Sequence, residues 1–173
     1  MVVVLGIGNL LLSDEGFGVQ VVKILQQHYD LPPGVSAVDG GTLGWELVPV
    51  LEEAHSLIII DAIFGNQSPG TFYRFEQEAV TRYFHQKLSA HEAGIQEILA
   101  YLTMKGKTFD HLVILGVEPA SLETGLQLSP PIAAMVPYTI EAILNQLNQW
   151  GITIPPAPPL TDYLDGYFRS MRP

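Results

Sequence analysis

The opening residues narrow the choice of fold more than any other stretch. Val2-Val3-Val4-Leu5 is a short β-branched apolar run, the pattern of a strand buried on both faces, and Gly6-Ile7-Gly8 follows at once. The two glycines let the chain turn tightly without Cβ clashes. Val19, Val22 and Leu25 then recur at helical spacing with Ile24 beside them, which predicts a helix from about Glu15 to His28. Ser13 or Asp14 is placed to cap its free amides.

A strand, a glycine turn and a helix also open a dinucleotide-binding unit, and Asp39 ends the next strand where a ribose-binding acid would sit. Two residues argue against that reading. Leu11 stands where the third glycine belongs, and Asp14 with Glu15 puts two carboxylates where a pyrophosphate needs positive potential. The same carboxylates suit a cation.

The rest of the chain continues the alternation. Val35–Asp39 reads as a second strand, after the turn Leu31-Pro32-Pro33-Gly34, and Gly40-Gly41-Thr42 leaves it as a flexible, amide-rich loop. Leu43 to Leu51 carries a helical pattern that Pro49 should end or bend. Ser56-Leu57-Ile58-Ile59-Ile60-Asp61 is an unbroken aliphatic strand ending in an acid, and Gly70–Phe75 has the alternation of an edge strand, with an antiparallel orientation open to it. Short helical pieces are expected between Glu76 and Ala90, then a helix from His91 to Leu102 with Ile95, Ile98, Leu99 and Leu102 on one face. Asp110–Glu118 is the last buried strand. After a loop around Gly125, Ser129 to Trp150 predicts a long amphipathic helix, with Pro130 and Pro131 in its first turn and a kink or break at Pro137.

This order predicts an α/β fold, a twisted, mostly parallel sheet of about five strands sandwiched between helices, in one domain over residues 1–153. Residues 154–173 form a Pro-rich, aromatic tail, for which docking on its own domain, docking on a neighbour and a loose arrangement all stay open. In such sheets ligands sit beyond the carboxyl ends of the strands, where the winding reverses. Asn9–Glu15, Asp39–Thr42 and Asp61 all lie at such ends and should converge on one edge.

Composition removes several function classes. The 173 residues, 47% of them hydrophobic, suffice for one substantial core. No apolar run approaches the ~20 residues of a membrane span, and the first strand leaves no room for a signal peptide, so a cytoplasmic location is the expectation. The absence of cysteine excludes disulfides, thiolate metal sites and a thiol nucleophile. A net charge of −10 argues against nucleic acid as a partner, because phosphate binding needs cations. No G-x-S-x-G elbow, H-E-x-x-H zinc helix or G-x-x-x-x-G-K-[ST] phosphate loop is present.

Three residues carry the candidate chemistry. Taken singly, Asp61 could cap a turn, Glu15 could serve a helix dipole and His91 could cap the helix it begins. Taken together, two carboxylates and an imidazole nitrogen make an open site suited to a borderline divalent metal. The other histidines, His28, His55, His85 and His111, lie at helix or strand ends and read as structural or exposed.

The motifs resemble those of a known family, the endopeptidases that mature the large subunit of [NiFe] hydrogenases. The resemblance runs through Gly6–Val19 (GIGNLLLSDEGFGV), Asp39–Leu47 (DGGTLGWEL), Ile58–Ile63 (IIIDAI), Ser89–Ile95 (SAHEAGI) and Gly116–Glu123 (GVEPASLE), followed by Leu128-Ser129-Pro130. It implies an α/β sandwich acting in the cytoplasm on a large-subunit precursor already loaded with nickel. It further implies a peptide-bond hydrolase, often grouped with aspartic-type endopeptidases, that removes a C-terminal extension just after the precursor's last metal-binding motif. The family's metal-contacting residues map onto Glu15, Asp61 and His91. Many relatives have glutamine where Glu92 stands, and the tail after residue 153 is outside the resemblance.

The chemistry suits that implication. A precursor's nickel is held by cysteine thiolates, whereas this chain offers hard oxygens and one nitrogen that can only add to an ion already gripped by the substrate. Nickel is then a recognition element carried in by the client, with other divalent cations able to occupy the site in isolation. Whether the ion also polarises the carbonyl, or Asp61 or Glu15 acts as a general base, stays open. Asp39, Gly40, Gly41 and Thr42 are candidates for holding the substrate tail extended. The alternatives are a nickel-dependent assembly factor that grips the precursor without cutting it, separable by weighing the product, and a nucleotide-binding enzyme, separable by tight nucleotide binding.

Overall fold

Four parallel strands and one antiparallel strand form a single sheet in a computed structural model that describes residues 1–80 and 90–170, with the backbone alone at 90–93. The strands are β1 (Val2–Ile7), β2 (Val35–Gly41), β3 (Ser56–Ala62), β4 (Phe72–Glu76) and β5 (His111–Val117), in the order β2-β1-β3-β5-β4. β1 pairs in parallel with β2 and β3, β3 pairs in parallel with β5, and β4 is antiparallel on the β5 edge. The expected α/β sheet is therefore present, and the Gly70–Phe75 run supplies its antiparallel edge.

β3 is buried at every position, because helices cover both faces. Ile58 and Ile60 point into one core with α1 (Phe17–His28), α4 (Pro130–Ala133), α5 (Val136–Gln149) and α6 (Leu160–Ser170). Leu57 and Ile59 point into the other, with α2 (Val48–Glu53) and α3 (Ala90–Met104). That period of two is the pleat itself. Each such aliphatic side chain taken fully out of water contributes about 1.5–3 kcal/mol.

The prolines act differently from expectation in one place and as expected in another. Pro49 neither ends nor bends a helix: a 3-10 turn at Trp45–Leu47 precedes it, and it lies in the first turn of α2, where its missing N–H costs nothing. Pro137 breaks the predicted Ser129–Trp150 helix into α4 and α5, and sits in the first turn of the second. Of the segment between Glu76 and Ala90, residues 78–80 are helical and 81–89, with His85, lie outside the described residues. His28, His55 and His111 are structural, bonding the Pro158 carbonyl, bonding the Met1 amine and stacking on Trp150 respectively.

The seat of α1 on the sheet depends on two absent side chains. A Cβ on Gly18 would lie 2.1 Å from the Ile60 carbonyl oxygen and 2.5 Å from that of Ile7, and a Cβ on Gly6 would lie 2.2 Å from the Gly18 oxygen. The start of α1 thus rests directly on the exits of β1 and β3. The strand order also reverses here, since β2 lies on one side of β1 and every later strand on the other.

The tail docks on its own domain, which settles a placement the sequence left open. After an extended stretch α6 buries Leu164, the Tyr163 hydroxyl donates to Gln27 Oε1 at 2.6 Å, and the His28 ring lies 4.7 Å from that of Tyr163. Tyr167 packs in the same core, and its hydroxyl finds no hydrogen-bond partner among the described residues. Burial, then the Tyr163 phenol and the Asp39 carboxylate, push the Tyr167 phenol up to about 12. No helix among the described residues is long and apolar enough to cross a membrane.

Two predictions follow from these contacts. Gly18→Ala should destabilise the fold by about 1–3 kcal/mol, read as a lowered urea midpoint at unchanged slope, because the new methyl meets fixed backbone. An unchanged midpoint would show that α1 is free to lift. The fold favours the neutral Tyr167 phenol, so its stabilising effect is complete below the ordinary pKa of 10.0 and is lost as pH rises through about 12. Tyr167→Phe should accordingly hold stability at pH 7, where it deletes an unpartnered hydroxyl, and flatten the loss of stability above pH 10 in alkaline denaturation curves.

Candidate active site

Glu15 lies in a 3-10 turn, Ser13–Gly16, between β1 and α1. The expected capping is not what the acids around it do: neither Ser13 nor Asp14 caps the helix. Their oxygens are used elsewhere, because the loop after β5 folds against this turn and offers better-placed partners. The Ser13 hydroxyl donates to the Glu123 carbonyl at 2.8 Å, and Asp14 is fully buried against the loop at 120–129. Glu15 is 9% exposed, and its N–H donates to the Leu12 carbonyl at 3.1 Å. Gly8, at φ +127°, makes this possible: a Cβ there would lie 1.9 Å from the Glu15 carbonyl oxygen.

Asp61 is 1% exposed near the end of β3, paired in register with Gly116 of β5. Its Oδ1 accepts the Ala62 N–H at 2.8 Å. The turn carrying Glu15 packs against β3, so both acids belong to the carboxyl edge at the reversal of strand order. His91 lies in the first turn of α3, Ala90–Met104. α3 has 15 residues, about 22 Å, and β3 has 7, about 23 Å. The chain after α3 is tied to the amino edge, where Asp110 N–H donates to the His55 carbonyl at 2.8 Å. The side chains of His91 and Glu92 lie outside the described residues. Among the described residues, no three His, Cys, Asp or Glu groups form a metal-holding cluster.

The Asp39–Thr42 segment departs from the expected flexible loop. Gly40 and Gly41 complete β2, with a bulge that sets Gly41 opposite Ile7, and Gly8 N–H donates to the Gly41 carbonyl at 2.9 Å. The neighbouring strand supplies that partner, which is why the pair is ordered. Asp39 forms an ion pair with Lys23 at 3.2 Å, and Thr42 is exposed at the rim.

Two structural acids at this edge carry no motif signal of their own role. Asp14 is one, and Glu118, at the end of the last strand run, is the other. Glu118 accepts the N–H groups of Gly65, Asn66 and Gln67 and the Tyr73 hydroxyl, and so gathers the loop that follows β3. Burial alone would raise its carboxyl, but the Tyr73 bond and then the three amides outweigh burial and hold it below the ordinary carboxylate range. Its hold on the loop is therefore present above that range and lost as pH falls through the lowered value. Burial, followed by the Glu118 bond and charge, raises the Tyr73 phenol. A donor count by eye from the sequence could not find these partners, which come from 45 to 53 residues away.

Chemically, the edge offers hard carboxylate oxygens in a low-dielectric setting, suited to holding a cation or accepting a proton, and no thiol. Comparison with known proteins bears on the family and the fold. The profile of the hydrogenase maturation protease family matches residues 19–146. The hydrogenase 2 maturation protease of Escherichia coli is 38% identical over 162 residues, spanning 93% of this chain and 99% of that protein. A hydrogenase expression/formation protein of Bradyrhizobium diazoefficiens, HupD, is 39% identical over 155 residues, 88% of this chain and 81% of its own. The structure of the hydrogenase maturating endopeptidase HybD from Escherichia coli superposes with a TM-score of 0.85 at 38% identity, covering 88% of this chain and 95% of that one. With the family profile matched over most of its length and full-length relatives at this identity, the chain belongs to the hydrogenase maturation protease family.

Proposed function

We propose that the protein is the endopeptidase that removes the C-terminal extension from a nickel-loaded [NiFe]-hydrogenase large-subunit precursor. Family membership over nearly the whole chain is the observation that carries this reading. The placement of Glu15 and Asp61 at the reversal of strand order supports it.

In this mechanism the nickel arrives as part of the substrate. Glu15, Asp61 and His91 add oxygen and nitrogen contacts to an ion whose thiolates come from the client. An ion fixed at both ends holds the adjacent scissile peptide against the two carboxylates, where water adds to its carbonyl carbon and the C–N bond breaks to release the amine of the extension, so orientation contributes to the rate. The exit of β2 at Asp39–Thr42 then receives the extended tail beside the same edge. A nickel-free precursor lacks the ion that registers its peptide, and is left uncut.

The direct test incubates nickel-loaded and nickel-free precursor with the protein and weighs the product. Mass loss in the loaded sample alone is expected. Loss in neither overturns the protease and leaves the non-cutting assembly factor. Glu15→Gln, Asp61→Asn and His91→Ala should each abolish processing while circular dichroism stays native. Wild-type processing by His91→Ala would overturn the proposed contact set. Glu92→Gln should cut at close to the wild-type rate, since its charge is outside that set.

A further inference from the structure

Asp14 is fully buried, yet its carboxylate is crowded with donors from a distant loop. The N–H groups of Ala120 and Ser121 donate to Oδ2 at 2.9 and 2.8 Å, and the Ser129 hydroxyl donates to the same oxygen at 2.8 Å. The Ser129 N–H donates to Oδ1 at 2.7 Å. Main-chain bonds run alongside: Ser13 N–H donates to the Gly125 carbonyl and Gly125 N–H to the Leu11 carbonyl, both at 2.9 Å.

The loop also takes the first free N–H groups of the turn, Ser13 to the Gly125 carbonyl and Asp14 to the Ser121 carbonyl. What these bonds fix is the position of the turn relative to β5, across 106 to 115 residues of chain. Four donors on two oxygens require an acceptor-only group, because an amide in its place would set a donor against a donor. Glu15 is the next residue of the same turn.

We infer that Asp14 is a positioning residue for client recognition: it locks the turn bearing Glu15 onto the 119–129 loop, so that the Glu15 carboxylate stands where the client's metal arrives. This rests on the reading of Glu15 given above. A clamp of this kind acts on selectivity. Loosening the turn weakens the contact with the metal and leaves contacts with the rest of the precursor unchanged.

The test measures binding of the full-length protein to nickel-loaded and nickel-free precursor by calorimetry. Asp14→Asn should weaken binding of the loaded precursor by about 10- to 100-fold, the usual cost of losing a group that orients a metal contact, and leave nickel-free binding unchanged. Ser129→Ala, which removes one of the four donors, should show a smaller loss in the same sense. Unchanged binding of the loaded form, or an equal fall for both forms, overturns the inference. Should Asp14→Asn fail to fold, Ser129→Ala decides alone, and unchanged discrimination there overturns it. Glu15→Gln is the control. If it discriminates like wild type, the reading of Glu15 fails; if it loses discrimination while Asp14→Asn keeps it, only the positioning role fails.

Discussion

Helix α1 touches the sheet through bare backbone. At Gly18 the helix lies against the carbonyl oxygens of Ile7 and Ile60, so close that one methyl group would collide with both. Those oxygens belong to the last residue of β1 and to a residue two before the end of β3, at the point where the strand order reverses. Glu15 is three residues before this contact and Asp61 one residue after Ile60. The steric condition that seats the helix therefore also brings the two acids to one edge. Packing and candidate chemistry share the same few residues.

Acids crowd that edge, and they divide by what surrounds them. Asp14 accepts four hydrogen bonds from the loop after β5, and Glu118 accepts three from the loop after β3 and one from Tyr73 of β4. Buried carboxylates without such donors would be costly, and the donors are what make burial tolerable. In return each acid orders a loop beside the candidate site, 119–129 for Asp14 and 64–70 for Glu118. Glu15 and Asp61 are as deeply buried, Glu15 in the turn after β1 and Asp61 near the end of β3, where its Oδ1 accepts the Ala62 N–H. In the proposed reaction the client's cation offsets the charge gathered there.

The docked tail adds a further layer over the β2 side. α6 packs against α1 and the first core, and Tyr167 lies close enough to Asp39 to feel its charge. The rim near Asp39 is thus built from β2, Lys23 of α1 and the last helix together. A chain ending before α6 would present that rim differently to an incoming peptide.

Much of this was legible along the chain. The continuous aliphatic runs of β1, β3 and β5, the glycine turn and the helical spacing of α1 specify an α/β sheet, because period and burial are local properties of sequence. The family resemblance points to Glu15, Asp61 and His91 as an expectation, of which the fold sets Glu15 and Asp61 on one edge and the His91 side chain lies outside the described residues. Hydrogen-bond partners were not legible. Ser13 and Asp14 look like helix caps to anyone reading neighbours only, and Gly40-Gly41 looks like a loose loop until β1 is laid beside it. Whether the aromatic tail would find its own α1 was equally undecided. These depend on groups from tens to more than a hundred residues away, and no local pattern encodes which distant amide will reach a buried carboxylate. The sequence by itself determined most of the strands and helices before residue 150 and the acids at their ends; the tertiary structure alone decided that the tail forms a helix and which acids became clamps, since that choice is made by whichever donors folding brings within about 3 Å.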